Sequence, residues 1–280
     1  MGPPIYIEGL IGAGKTSVVS ALKQKYDQNP TLGIKCYLEP VDRYKKFVYK
    51  AQSFNPLKIM YEGGQADKFP VQLHICNQSF QYYSQKMQND VMKYPMKIFE
   101  RSIFSNLTFI QTYQDMGFLS DFASAYLLKL TGKHRQAFYN VYPSVVIYLD
   151  IAVDLALDRI KQRGREGEQN LTAEFLECLK KNQIKQLELF KVCEPKVTVI
   201  KIPVGQRTSL DEIVAKCDRI AQSCLRYEKT KDDLFRDRYT KRQDHIKKRV
   251  FLRRSSLPTP EAKKTYCEDE ERYCLWDEDF

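Results

Sequence analysis

The stretch that decides the fold reads Ile5-Tyr6-Ile7-Glu8-Gly9-Leu10-Ile11-Gly12-Ala13-Gly14-Lys15-Thr16. From Gly9 onward it spells G-x-x-x-x-G-K-T, directly after an apolar strand and before a helical run, Ser17 to Tyr26. Each residue type has a reason to be there. Glycines let successive backbone N–H groups curl round a phosphate, Lys15 reaches the β and γ oxygens, and the Thr16 hydroxyl faces Mg²⁺. The helix that follows aims its positive end at the anion. The motif therefore implies a bound nucleoside triphosphate held by Gly9, Gly12, Ala13, Gly14, Lys15 and Thr16. A glycine-rich turn with an idle lysine is the other reading, and the strand before and helix after the loop argue against it.

Four further short apolar runs follow: Ile34 to Leu38, Met96 to Phe99, Val145 to Leu149, and Val197 to Ile202. Between them lie long segments of helical spacing, such as Leu73, Cys76, Phe80 and Tyr83, or Phe104, Leu107, Ile110 and Tyr113. Continuous apolar strands alternating with helices predict an α/β fold: a P-loop NTPase-type, five-stranded parallel sheet with helices on both faces. Such sheets bind ligands beyond the carboxyl ends of their strands. Charged residues stand where that rule asks for them: Glu39-Pro40-Val41 after the second run, Glu100-Arg101-Ser102 after the third, and Arg159, Arg163 and Arg165 downstream of the fourth. Any one of these could be a solvated charge beside a loop. Three sets in register with a phosphate loop point to a site.

The chain has 280 residues, 43% of them hydrophobic, enough for a sizeable core. No apolar run approaches the roughly 18 residues of a membrane span. The start, Met1-Gly2-Pro3-Pro4, enters the first strand without a leader, so a soluble, cytoplasmic protein is expected. Eight scattered cysteines without a C-x-x-C pair, and only three histidines, argue against structural zinc and for reduced thiols. The formal charge of +10 is unevenly spread. Residues 226–254 carry twelve Lys or Arg against five Asp or Glu, and residues 255–280 carry three against eight. These blocks predict a folded domain over 1–225 and a charged, partly disordered extension over 226–280. Within the extension, Lys241-Arg242 and Lys247-Lys248-Arg249 resemble a nuclear import signal, and the basic block could also meet nucleic acid.

Taken together, these motifs resemble the deoxynucleoside kinase family, which comprises the deoxycytidine, deoxyguanosine and mitochondrial-type thymidine kinases and a broad-specificity insect enzyme. The resemblance covers about residues 3–225 and rests on the phosphate loop, Glu39-Pro40-Val41, Glu100-Arg101-Ser102 and the arginine-rich segment Arg159 to Gln169, in that order. It implies transfer of the γ-phosphoryl group of ATP, with Mg²⁺, to the 5′-hydroxyl of a deoxynucleoside, a nucleotide salvage reaction, in a homodimer without membrane attachment. Such transfer needs charge neutralisation and a carboxylate to accept the hydroxyl proton. Glu39 is the candidate base, Lys15 and Arg101 its catalytic companions, and Thr16 with Glu100 the candidate Mg²⁺ ligands. Arg159, Arg163 and Arg165 form an expected lid that closes over the phosphates and excludes water. By the same resemblance Tyr61 and Glu168 hold the sugar 3′-hydroxyl, Gln72 pairs with the base, and Tyr44 and Phe69 pack against it. Where deoxycytidine-type kinases set an arginine and an aspartate against the base, this chain has Ser79 and Asn106, which leaves thymidine or several pyrimidines as the expected substrates.

Two rivals differ in their sequence demands. A thymidylate-kinase-like enzyme commonly shows Asp-Arg-Tyr where this chain has Glu100-Arg101-Ser102, and an arginine where it has Leu38, because a phosphorylated acceptor needs extra cationic contacts. A nucleic-acid-binding P-loop NTPase would use the basic tail but leaves the strand-end carboxylates without a task.

Overall fold

A computed structural model describes residues 3–88, 94–139, 144–165, 167–193 and 197–229. The five apolar runs become strands β1 (Ile5–Gly9), β2 (Ile34–Tyr37), β5 (Met96–Glu100), β6 (Ser144–Ile151) and β7 (Val197–Val204). All pair in parallel, in the order β2-β5-β1-β6-β7. β1 is thus the central strand, with Ile5 beside both Ile98 and Val145.

Strand parity sorts the side chains into two layers. Ile5, Ile7, Ile98, Val145, Ile147 and Leu149 share one cluster with Val18, Val19 and Leu22 of α1 (Lys15–Gln28) and with Ile213, Cys217 and Ala221 of α9 (Leu210–Lys229). Tyr6, Phe99, Val146 and Tyr148 face the other way, onto Tyr83 of α4 (Gln65–Gln88), Phe104 of α5 (Ile103–Asp115) and Leu187 of α8 (Ala173–Cys193). Burial on both faces is why these strands read as unbroken apolar runs rather than as alternating ones. The remaining helices are α2 (Val41–Tyr44), α3 (Pro56–Glu62), α6 (Asp121–Tyr139) and α7 (Val153–Arg163). The thiols of Cys36, Cys76 and Cys217 are buried and unpaired, and burial pushes each up, to about 12, 11 and 12 respectively, so they stay protonated.

One element has no counterpart in the sequence reading. β3 (Phe47–Tyr49) and β4 (Gln52–Phe54) form an antiparallel hairpin whose turn residues, Lys50 and Ala51, both have positive φ, 46° and 64°. Such turns usually carry Asn-Gly or Asp-Gly, so the sequence lacks the customary mark. The first helix begins at Lys15, two residues before Ser17, and the last runs to Lys229, past the Leu225 boundary. The extension from residue 230, with its basic cluster, lies outside the described residues. No helix among the described residues is long and apolar enough to cross a membrane.

Helices α1 and α9 are joined at one point by polar groups. The Tyr26 hydroxyl donates to Asp218 Oδ1 at 2.6 Å, and Lys25 Nζ reaches Asp218 Oδ2 at 2.8 Å. Tyr26→Phe keeps the ring, which is 1% exposed, and removes that bond. The expected cost is about 1 kcal/mol of unfolding free energy in a urea titration, with turnover within twofold of wild type.

Candidate active site

The carboxyl ends of β1, β2 and β5 open into a cleft of about 440 Å³, within the usual range for a small-molecule site. Its floor is the phosphate loop. Gly14, the N-cap of α1, is left-handed at φ 88°, and the loop before it is fixed by contacts that only glycine allows. A Cβ on Gly12, φ 83°, would sit 2.5 Å from the Ala156 carbonyl oxygen of α7. Gly9 does not line the cleft: at φ 147° it lets β1 press on β6, where a Cβ would meet the Leu149 oxygen at 2.8 Å. Gly9 thus has a packing role in this structure, while Gly12, Ala13, Gly14, Lys15 and Thr16 all line the cleft.

Lys15 folds back onto its own loop and donates to the carbonyls of Gly9 (3.0 Å) and Leu10 (2.6 Å). Burial, reinforced by the Arg101 charge, pushes its ammonium down to about 7. The Thr16 hydroxyl donates to Glu100 Oε1, and Glu100 Oε2 accepts the Glu39 N–H at 3.1 Å. Glu39 Oε2 in turn accepts from Arg101 Nε at 3.0 Å. The strand ends thus bring the candidate base, the candidate metal ligand and the phosphate loop into one hydrogen-bonded chain. Thr16 and Glu100 offer adjacent oxygen donors of the hard type that suits Mg²⁺, which binds through one or two protein groups plus phosphate and water. Among the described residues no group of three or more His, Cys, Asp or Glu is placed to hold a metal ion.

Arg101 is 6% exposed. Burial opposes its charge, but Glu39, Glu8 and Glu100 outweigh that and hold the guanidinium firmly protonated. The Phe109 ring lies 5.2 Å from the guanidinium carbon, and Nη1 is buried with no partner. Asn106 Nδ2 is likewise buried and unpartnered. Both residues line the cleft, and two orphaned donors there are what an absent ligand would leave.

Beyond Arg101 the nucleoside candidates gather. The Tyr44 and Ser79 hydroxyls are 2.8 Å apart, and Gln72 Nε2 lies 3.6 Å from Cys76 Sγ. Gly167 packs on the Tyr61 ring and brings Glu168 close, and burial together with the Glu168 charge pushes the Tyr61 phenol up to about 12. Phe69 is not among the cleft-lining residues; it meets Tyr126 of α6 edge-on at 5.8 Å. The arginines divide. Arg159 lies by the loop, its Nη1 4.0 Å from where a Cβ on Gly14 would stand. Arg163 and Arg165 instead pair with the buried Glu168 carboxylate, Arg165 at 3.3 Å.

With the geometry established, comparison with known proteins is direct. The deoxynucleoside kinase family pattern matches residues 5–224. The chain belongs to the deoxynucleoside kinase family. It is 28% identical over 180 residues to a deoxyadenosine kinase of Dictyostelium discoideum, covering 64% of each chain. It is 27% identical over 180 residues to a deoxyguanosine kinase of Lactobacillus johnsonii, covering 59% of this chain and 66% of that one. The chain thus spans just under two thirds of the length of these two relatives. A solved structure of the deoxyadenosine kinase of M. mycoides, described with dCMP and dCDP bound, superposes with a TM-score of 0.57 at 20% identity, covering 79% of this chain and 99% of that one, a likeness of fold.

Several cleft residues of this family member were not singled out as site candidates in the sequence: Ser105, Phe109 and Tyr83, and Thr208, Leu210 and Ile213 around the start of α9. Glu8, which does not line the cleft but accepts from Ser102 and Ser105, was missed as well, although a carboxylate inside an otherwise apolar central strand is a visible signal. Gly12→Ala tests the loop's construction. The added methyl must push the loop off α7 and strain a left-handed residue, so ATP affinity should fall at least tenfold by calorimetry, with the far-UV dichroism unchanged.

Proposed function

We propose that the chain transfers the γ-phosphoryl group of ATP to the 5′-hydroxyl of a deoxynucleoside. The observation that carries this is the Glu39 carboxylate, held by Arg101 on one oxygen and standing beside Glu100, Thr16 and the phosphate loop. Arg101 occupies Oε2, and Oε1 takes the hydroxyl proton as the substrate oxygen attacks phosphorus and the bond to the ADP oxygen breaks. Lys15 leaves its carbonyls for the phosphate oxygens, and Arg101 and Arg159 neutralise charge on the transferring group. Bound Mg²⁺, held by Thr16 and Glu100, would offset the phosphate charge. Tyr61 and Glu168 hold the sugar 3′-hydroxyl. Arg163 and Arg165, released from Glu168 as the hydroxyl takes their place, complete a lid that keeps water out. By family resemblance the working unit is a homodimer.

The base is read by neutral groups. Ser79 is engaged with Tyr44, and Gln72 and Asn106 supply amides with no charged partner, which suits thymidine or several pyrimidines. The named activities of the relatives favour a second reading, a purine deoxynucleoside.

Glu39→Gln keeps size and polarity but removes the proton acceptor. Turnover should fall by about 10² to 10⁴-fold with ATP affinity unchanged, measured by coupled assay and calorimetry, and wild-type turnover would remove Glu39 from this role. Thymidine, deoxycytidine, deoxyadenosine, deoxyguanosine and dTMP, compared at equal concentration, decide the acceptor. We expect thymidine to lead, a purine in first place would establish the second reading, and dTMP in first place would mark a monophosphate kinase.

A further inference from the structure

Glu8 has no part in the mechanism above, yet it occupies the centre of the molecule. By strand parity it shares the Tyr6 side of β1, the layer in which α5 packs. It is 7% exposed, and a carboxylate there is costly unless its oxygens are satisfied. They are: Ser102 Oγ donates to Oε1 at 2.5 Å, and Ser105 Oγ approaches Oε1 at 2.9 Å and Oε2 at 2.7 Å. Ser102 is also the N-cap of α5, accepting the Phe104 N–H at 3.2 Å.

Between Glu100 and this anchored serine stands Arg101, with φ 62°. A non-glycine residue in the left-handed region is strained and persists only where its surroundings over-determine it. Strand β1 supplies both restraints. The Ile7 carbonyl accepts the Arg101 N–H at 3.0 Å, and the next residue, Glu8, fixes the side chain of Ser102. The strained turn is what sends the guanidinium back toward Glu39 and leaves its Nη1 without a partner at the cleft.

We propose that Glu8 is the positioning residue for Arg101: through Ser102 and Ser105 it locks the left-handed turn that aims the guanidinium at Glu39 and the transferring phosphoryl group. The inference rests on the kinase reading of Arg101, and a double-mutant cycle separates the two. Arg101→Ala should lower kcat at least 100-fold. Glu8→Gln, isosteric but unable to receive both serines as an anion, should lower kcat about 30-fold with KM for nucleoside and for ATP within threefold. Ser105→Ala should act in the same direction, about fivefold. In the Arg101→Ala background, Glu8→Gln should change kcat by less than twofold, which a general loss of structure would not produce.

If Arg101→Ala is impaired while Glu8→Gln turns over within twofold of wild type, the positioning role is overturned and the kinase reading stands. An undiminished 30-fold effect in the Arg101→Ala background also overturns it, since Glu8 would then act on something else. Wild-type turnover of Arg101→Ala removes the kinase reading and the inference with it. Should Glu8→Gln fail to fold, Ser105→Ala in the same cycle decides, and an unchanged kcat there overturns the proposal.

Discussion

The buried guanidinium of Arg101 is the group on which the cleft is organised. Three carboxylates, Glu8, Glu39 and Glu100, gather at the ends of three adjacent strands where water is largely excluded, and each would be unfavourable there alone. One delocalised cation, hydrogen-bonded to Glu39, offsets the charge of all three. Parallel pairing delivers these residues together: β5 lies between β2 and β1, so Glu39 and Glu100 come from neighbouring strand ends and Arg101 follows immediately. The arrangement follows from the sheet order as much as from the residues themselves.

Much of this architecture is legible in the sequence itself. The three inner strands, β1, β5 and β6, were legible because they are buried on both faces, and the edge strands β2 and β7 because branched or apolar residues still fill their inward positions. The phosphate loop was legible because backbone wrapping of an anion tolerates few alternatives to glycine. Glu39, Glu100 and Arg101 could be located by the rule that ligands lie beyond strand ends. What escaped were features decided by tertiary context. The hairpin at 47–54 turns through Lys50 and Ala51 without glycine or asparagine. Phe69 is aromatic and lies near the other substrate candidates in sequence, while its ring contact with Tyr126 of α6 is visible only in the α4–α6 packing. Arg163 and Arg165 have helix-end chemistry that suits a lid, whereas their partner in this structure is a buried carboxylate a few residues later.

Family membership and physical reading support each other most strongly at the phosphate-transfer end of the cleft. There the required chemistry is independent of the acceptor, and every element has an assigned neighbour. At the nucleoside end the side chains are amides and hydroxyls, whose hydrogen bonds can be donated or accepted to suit more than one base. Relatives named for purine nucleosides and the proposed pyrimidine reading are compatible with the same scaffold, because the base-reading candidates Gln72 and Ser79 on α4 and Asn106 on α5 are not among the residues that clamp the sheet.

The posture of Lys15 bears on the proposed reaction cycle. In this structure two loop carbonyls serve the buried Lys15 nitrogen as acceptors. In the proposed transfer, an arriving triphosphate would exchange one set of oxygen partners for another, and departure of the diphosphate would reverse the exchange. The loop would then be a resting cradle for its own lysine, built from the same two carbonyl oxygens that shape the turn.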